Sequence, residues 1–149
     1  YRPMILTDRL CGQAREAGLF LAAIAQSHAN TDTPLAFLCG GETVVRLTGT
    51  GKGGRNQELA LAAAQGIAGL PNLLAFSVGS DGTDGPTDAA GGITDGETAS
   101  RLAEQGISIT EVLDRNDAYH ALARVDGLIV TGPTGTNVND VSAVLIRPM

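Results

Sequence analysis

The densest group of acidic side chains lies in the segment 80–88, which reads Ser-Asp-Gly-Thr-Asp-Gly-Pro-Thr-Asp. Its three carboxylates, Asp81, Asp84 and Asp88, repel one another unless a cation or a proton lies between them. Such oxygens suit magnesium that accompanies a nucleotide, or a base that accepts a hydroxyl proton. The spacing lacks the terminal glutamate of an EF-hand loop. A chain of turns is the alternative, since Asp, Gly, Thr and Pro all favour turns.

A glycine-rich segment at 49–58, Gly-Thr-Gly-Lys-Gly-Gly-Arg-Asn-Gln-Glu, carries two cations immediately before a predicted helix. Glycine lets the backbone approach an anion closely, and the first N–H groups of a helix point at that anion. Arg55 can hold a phosphate or a carboxylate with two parallel hydrogen bonds. A glycine-rich turn with two solvated cations is the alternative. The predicted anion-binding residues are Lys52, Gly53, Gly54, Arg55 and Asn56.

Two nucleotide-binding motifs can be tested on the same glycines. Gly49, Gly51 and Gly54 match the G-x-G-x-x-G pattern of dinucleotide-binding loops. That pattern also requires an acidic residue about 20 positions further on, and the first candidate, Asp81, comes too late in the sequence. A P-loop is excluded because no serine or threonine follows Lys52. The glycines therefore favour another kind of anion-binding loop.

A third polar segment, 131–140, reads Thr-Gly-Pro-Thr-Gly-Thr-Asn-Val-Asn-Asp and contains no cation. Its N–H groups, hydroxyls and amides can form a nest for a phosphate or for the carboxylate of a hydroxyacid. A plain surface turn is the alternative. Glu42, within Gly-Gly-Glu-Thr at 40–43, can position an arginine or a substrate hydroxyl, or it can be an exposed turn residue. The candidate binding residues of the third segment are Thr134, Thr136 and Asn137.

Helices and strands that hold these loops can be predicted from hydrophobic periodicity. Helices are predicted from a Thr7–Asp8 cap to about residue 27, and over 56–67, 95–106 and 116–123. Apolar or β-branched runs predict strands at 35–39, 43–48, 73–78, 128–130 and 141–146. This alternation predicts a single α/β domain of three layers, with a mixed, mostly parallel sheet and helices on both faces. Because ligands bind at the carboxyl ends of strands in such sheets, the polar loops are expected to converge on one site.

Composition narrows the class of protein. The net charge is −6 and the ten basic residues are scattered, which argues against a nucleic-acid partner. No signal peptide pattern is visible, and no apolar run reaches the ~18 residues of a membrane span. Cys11 and Cys39 are isolated in sequence, and we expect two reduced, buried thiols. These observations predict a cytoplasmic protein that binds no membrane.

Four ordered motifs resemble those of the MOFRL domain, the C-terminal domain of class II glycerate kinases. The likeness covers nearly the whole chain, and we expect one domain over residues 1–149. Because no methionine precedes Tyr1, we also expect a piece of a longer enzyme. The motifs are Gly-Gly-Glu-Thr at 40–43, Gly-x-Gly-Gly-Arg-Asn-Gln-Glu at 51–58, Ser-Asp-Gly-Thr-Asp-Gly-Pro-Thr-Asp-Ala-Ala-Gly at 80–91, and the whole of 131–140.

The resemblance implies transfer of the γ-phosphate of ATP to the 2-hydroxyl of D-glycerate, with magnesium as the second cofactor. It also implies a partner domain, larger, N-terminal and Rossmann-like, that carries a catalytic lysine and closes the active-site cleft. The isolated domain is then expected to be inactive, and a homodimer is compatible with the family. Arg55 would match the family's functional arginine, with Asp84 as the second catalytic residue and Asp81 and Asp88 as metal ligands.

Two other functions fit parts of the sequence. Relatives in this family have long been named hydroxypyruvate reductases, so the chain can instead belong to an NAD(P)H-dependent reductase. The misplaced acidic residue and the dense carboxylate loop count against that function. A non-catalytic regulatory or oligomerisation domain is the third hypothesis.

Overall fold

The computed structural model describes all of residues 1–149, which form six strands and five helices. The strands are β1 (Arg2–Leu10), β2 (Leu35–Gly41), β3 (Leu73–Gly79), β4 (Gly91–Asp95), β5 (Leu128–Ile129) and β6 (Asp140–Ile146). The helices are α1 (Ala14–Ser27), α2 (Arg55–Gly66), α3 (Thr98–Glu104), α4 (Ile109–Asp114) and α5 (Ala118–Ala123). The predicted single α/β domain with a mixed sheet is confirmed.

All six strands form one sheet in the order β1-β2-β6-β3-β4-β5. Only β1 and β2 pair in parallel, and every other neighbouring pair is antiparallel. The sheet is mixed, as expected, but the expectation that most of its strand pairs are parallel was wrong. The alternation of elements predicts β2 beside β3, and those two strands do point the same way. However, the last strand of the chain, β6, lies between them and runs in the opposite direction.

Helix α2 is the centre of the packing. Residues 56–64 are all buried, because one side of the helix faces the sheet and α1 while the other faces α3, α4 and α5. A helix that is buried on every side needs small residues, and alanine supplies four of these nine positions. Close approach to α1 depends on Gly18, where a side chain would overlap the backbone of α2.

Helices cover only one face of the sheet, so the expected layer on the other face is absent. The helix-facing positions are mostly apolar and form one core with α1 and α2. Ser77, Ser142 and Thr94 are polar residues on the same face, and all three are buried. On the opposite face, Leu38, Ala143, Phe76 and Ile93 lie side by side across four strands, and no helix packs on them. Ile5 of β1 extends this row and is 77% exposed.

Three local predictions were wrong. The segment that contains Thr7 and Asp8 is β1, because pairing with β2 overrides its weak helical pattern. Helix α1 begins only after Gly12, which has a φ of +90°. The β-branched segment 43–48 makes one isolated bridge to Gln13 and no strand. Conversely, β4 begins with two glycines that sequence reasoning assigned to a loop.

The remaining expectations concern cysteines and membranes. Cys39 is buried on β2, but Cys11 is exposed, which corrects the expectation of two buried thiols. Both thiols are free. No helix has the length and the apolar character that crossing a membrane requires.

Candidate functional site

The end of β2, the start of β6 and the first residue of α2 meet at one edge of the sheet. Gly41, Asp140 and Gly79 are direct neighbours across β2, β6 and β3. Arg55 opens α2 beside them and donates from Nε and Nη2 to the two carboxylate oxygens of Asp140, at 2.6 and 2.9 Å. Its Nη1 lies 3.4 Å from Oε1 of Glu42. The predicted convergence of the polar loops is therefore observed where Arg55 of the glycine-rich segment meets Asp140, the last residue of the third polar segment.

The charge state of Arg55 follows from these contacts. The hydrogen bonds to Asp140 raise the pKa of Arg55, partial burial opposes the rise, and the charges of Asp140, Glu42 and Asp84 add to it. The guanidinium thus remains a permanent cation. Its side chain is 31% exposed, whereas that of Asp140 is 7% exposed. Arg55 is therefore held by a buried carboxylate, while part of its guanidinium stays accessible to solvent.

Asp84 occupies the N-terminus of α2, which corrects the expectation that this helix end presents free N–H groups to a ligand. Its carboxylate accepts hydrogen bonds from the backbone N–H groups of Asn56 and Gln57, at 3.1 and 2.9 Å. Asp84 is 2% exposed. Burial raises the pKa of Asp84, while the N–H groups of Asn56 and Gln57 and the side chain of Asn56 oppose the rise. The acceptor for the N–H groups at this helix end is thus a side chain of the protein itself.

Asn56 points into the protein and not into a cavity. Its side chain is fully buried, donates to Asp84 and accepts a hydrogen bond from Ser77. Ser77 in turn lies 2.7 Å from the hydroxyl of Ser142 on β6. The predicted anion-binding role of Asn56 is not supported by this position. Instead, the network ties the start of α2 to the two central strands.

Lys52 lies on the other side of the glycines from the Arg55 pair. Its Nζ is 4.3 Å from the ring centroid of Tyr119, a cation–π distance. The hydroxyl of Tyr119 donates to Asp88 at 2.7 Å, and this bond raises the pKa of Tyr119. Lys52 and Asp88 thus share a surface group with an aromatic ring that sequence reasoning did not single out.

The third polar loop packs on the second one. Thr134 donates from its hydroxyl to the carbonyl of Ser80, and its backbone N–H donates to the carbonyl of Asp81. Thr136 and Asn137 make only local bonds within the loop. Asp81 accepts from the N–H and the hydroxyl of Thr83, and both bonds lower the pKa of Asp81.

The three carboxylates of the second loop have separate environments. Asp81 caps its own turn, Asp84 caps α2, and Asp88 accepts from Tyr119. No group of three or more His, Cys, Asp or Glu side chains is arranged to hold a metal ion. The assignment of Asp81 and Asp88 to magnesium therefore stays a prediction.

A cavity of about 550 Å³ lies between the glycine-rich segment and the Glu42 segment. Its polar lining includes Glu42, Arg55, Glu58 and Asn116, together with the backbone of Gly53 and Gly54. Its apolar wall is formed by Val44, Val45, Leu47, Pro86 and Ala118. This volume falls in the range of small-molecule sites. Another cavity, of about 460 Å³ beside Arg147, contains none of the predicted site residues.

Comparison with known proteins gives the family. The model of the MOFRL family matches residues 35–140. The chain belongs to the MOFRL family. It is 51% identical to a D-glycerate 2-kinase of Thermotoga maritima, over 95% of this chain and 35% of that protein. It is 42% identical to an Agrobacterium vitis protein provisionally named hydroxypyruvate reductase, over 97% of this chain and 39% of that one.

A solved structure agrees with the fold of this MOFRL chain. A crystal structure of glycerate kinase from Thermotoga maritima superposes with a TM-score of 0.94 at 50% identity, covering 98% of this chain and 36% of that one. The chain thus spans about a third of the length of the relatives that it matches.

Two residues that hold the MOFRL site were missed by sequence reasoning. Asp140 was seen only as the last residue of a polar loop. Asn116 was predicted only as the first residue of the helix 116–123, but its Oδ1 accepts from the N–H groups of Thr48 and Gly49, at 2.7 and 2.8 Å. Both partners lie more than 60 residues away in sequence, so no local pattern indicates them. Asn116 has a φ of +55°, and asparagine adopts such positive φ values more often than most residues do. Its residue type is therefore compatible with this backbone but does not indicate its partners.

Proposed function

We propose that this chain is the C-terminal part of a glycerate 2-kinase, which transfers the γ-phosphate of ATP to the 2-hydroxyl of D-glycerate. The observation that carries the proposal is Arg55, a permanently charged guanidinium that borders a cavity of substrate size. The names of relatives at 51% and 46% identity support the same reaction. ATP and magnesium are the cofactors that this activity requires.

Arg55 supplies the charge that phosphoryl transfer needs. The transferring group spreads negative charge over its oxygens, and catalysis consists mostly of positioning and electrostatic stabilisation. Hydrogen bonds to Asp140 use two of the five N–H groups of the guanidinium, which leaves three without a hydrogen bond in this chain. These three can bind either the transferring phosphoryl group or the carboxylate of glycerate.

Lys52 supplies a second cation, on the other side of the glycines from Arg55. Lys52 can reach a phosphate from the ring of Tyr119, because a cation–π contact leaves its ammonium hydrogens available. Magnesium, when bound, would neutralise phosphate charge, and Asp81 and Asp88 carry the carboxylate oxygens that it prefers as ligands.

The remaining two thirds of the enzyme complete the proposal. Relatives are about three times as long as this chain, which is consistent with a further domain. We propose that this domain closes over the Arg55 edge and brings the other catalytic groups. The exposed Val44 and Leu47 lie on that edge, at 60% and 79% exposure, and suit such a contact.

A reductase is the second candidate, because the Agrobacterium vitis relatives carry that provisional name. The glycine-rich segment argues against it. A side chain on Gly49 or Gly51 would overlap the backbone of Arg115, and one on Gly54 would overlap Asp84. These glycines serve packing within the chain, whereas a dinucleotide-binding loop uses them to approach a pyrophosphate.

Substitution of Arg55 in the full-length enzyme tests the kinase proposal. Arg55→Ala removes the guanidinium, so we expect D-glycerate-dependent turnover to fall by about 10³-fold. Arg55→Lys keeps one charge but loses the planar fork, and we expect it to recover only a small part of this loss. Turnover of Arg55→Ala close to that of the wild type would refute the assignment.

A further inference from the structure

We propose that Asp140 is the positioning residue for Arg55, the buried carboxylate that aims the guanidinium at the cavity. The inference rests on the proposed function, since Arg55 is the group that it aims. Asp140 itself does not line the cavity that Arg55 borders. Its effect on the reaction is therefore indirect and passes through Arg55.

Asp140 lies on a rigid part of the sheet. It is the first residue of β6, with β2 on one side and β3 on the other, in the middle of the sheet. Its direct neighbours are Gly41 and Gly79, so no side chain on those positions competes for the carboxylate. A group on a central strand is held more precisely than a group on a loop.

Asp140 and Arg55 form an exclusive pair on the Asp140 side. Both carboxylate oxygens of Asp140 accept from Arg55, and no other side chain donates to them. A free arginine side chain samples many rotamers, and a two-bond contact removes much of that freedom before substrate arrives. Two parallel hydrogen bonds, from Nε and Nη2 to the two oxygens of one carboxylate, also fix the plane of the guanidinium. The opposite edge of the group stays free of hydrogen bonds and can face the cavity.

Asp140 and Glu42 differ in how firmly they hold Arg55. Glu42 is 54% exposed and has a single contact of 3.4 Å with Arg55, whereas Asp140 is 7% exposed and its two bonds are 2.6 and 2.9 Å. Solvent weakens an exposed ion pair far more than a buried one. Without Asp140, the guanidinium would swing toward Glu42 and away from its present direction.

Kinetics of the full-length enzyme give the first test. Asp140→Asn keeps the shape but loses the charge and the second acceptor, and we expect kcat to fall by about 30-fold or more, since a misplacement of 1 Å can cost about 100-fold. Asp140→Glu restores both acceptors and should recover part of kcat. The matched control is Glu104→Gln, which removes an exposed charge on α3 and should leave kcat unchanged. A kcat for Asp140→Asn within threefold of the wild type would overturn the inference.

Chemical rescue gives the readout that a structural role would not produce. Added guanidinium should restore at least about tenfold of the lost kcat in Arg55→Ala, because Asp140 would hold the free cation in the place of the side chain. It should not do so in the double variant Arg55→Ala/Asp140→Asn. Equal rescue of the two variants would overturn the inference.

A spectroscopic measurement separates this inference from the kinase proposal. In the wild type, the Nε–H of Arg55 should give a slowly exchanging NMR signal, which Asp140→Ala should abolish, because alanine has no acceptor, and Glu104→Gln should retain. If the wild type fails to phosphorylate D-glycerate while this signal behaves as expected, the proposed reaction fails and the pairing stands. A signal that persists in Asp140→Ala would overturn the pairing, whatever the reaction.

Discussion

The glycine-rich segment and the acidic loop come so close at Gly54 that a single added Cβ atom would overlap Asp84. Gly54 has an extended backbone, with φ −130° and ψ 178°, that any residue adopts. Yet a Cβ there would overlap the carboxylate of Asp84, whereas a Cβ on Gly53 would lie 3.3 Å from its nearest neighbour, the backbone nitrogen of Ala118. Glycine at position 54 is thus required by contact with Asp84.

This difference gives a matched pair of variants. We expect Gly54→Ala to lower the free energy of unfolding by about 2 kcal/mol or more, as overpacking of a dense interior does. Gly53→Ala should change it by less than about 1 kcal/mol, because a shift of a few tenths of an ångström relieves the contact. Urea unfolding of both variants checks the prediction. Equal losses would contradict the described contact.

Asp117 links stability to pH. Burial raises its pKa, but the N–H of Lys52 and the side chain of His120 outweigh this, so the pKa of Asp117 lies below its ordinary value. A lowered folded-state pKa means that the carboxylate stabilises the fold above its unfolded pKa, and that this contribution is lost as pH falls through the folded value. We therefore expect Asp117→Asn to be less stable than the wild type at pH 7, with the difference shrinking below pH ~4.

Unfolding in urea at pH 7 and at pH 3 measures this effect. The matched control is Asp114→Asn, since Asp114 is 68% exposed and its pair with Arg15 is 3.3 Å long. A difference between Asp117→Asn and the wild type that stays the same at both pH values would show that the carboxylate is not ionised in these bonds.

At the residue scale, the sequence indicated which side chains belong to the site but not which residues they contact. Arg55 could be singled out because an arginine after three nearby glycines, at a helix start, is a local pattern. Asp84 could be singled out as an acid but not as a helix cap, because its contact with α2 spans 27 residues. Asp140 is 85 residues from Arg55 and meets it only because β6 inserts beside β2.

Among the elements, the segment 42–54 is held without regular secondary structure. Asn116 accepts from Thr48 and Gly49 and donates to the carbonyl of Arg46 and to Glu58. The N–H of Gly51 donates to the carbonyl of Arg115. The turn between α4 and α5 is thus the support of the glycine-rich segment.

Two substitutions at Asn116 separate its side chain from its backbone. Asn116→Gly keeps the positive φ and loses the side chain, and we expect a loss of about 2 kcal/mol from the hydrogen bonds. Asn116→Ala loses both, and we expect about 1 kcal/mol more from the left-handed backbone. Thermal and urea unfolding give the two values. If alanine costs no more than glycine, the backbone at this position is not constrained as described.

Helices and strands were predicted correctly where burial alone determines the pattern of residues. The apolar runs of β2, β3 and β6 and the alanine-rich α2 were found because burial dictates their residues. Strand β4 was missed because Gly91 and Gly92 disfavour strands, yet a side chain on Gly91 would overlap the backbone of β3. The open edge β1 was missed because it packs on a single neighbour, so its sequence carries little periodicity.

For the whole molecule, the uncovered sheet face is the main departure from expectation. Outward positions on an exposed antiparallel sheet are normally polar, but here they include Leu38, Phe76 and Ile93 in one row. A contiguous apolar surface of this kind binds hydrophobic dyes.

The face can be tested in the 149-residue chain. We expect Phe76→Thr to lower the fluorescence of the dye ANS, with little change in the unfolding midpoint, because threonine suits a half-exposed strand. The control is Phe20→Gln on the outer surface of α1, where the ring is 56% exposed but lies outside this row. A larger drop for Phe20→Gln would place the apolar surface elsewhere.

The central claim concerns the reaction of the complete enzyme, and a coupled ADP-release assay on the full-length protein tests it most directly. D-glycerate, ATP and magnesium are supplied in one reaction, and hydroxypyruvate with NADH in a parallel one. For a glycerate 2-kinase, we expect ADP release that depends on D-glycerate, with no consumption of NADH. Consumption of NADH without ADP release would contradict the kinase and establish the reductase.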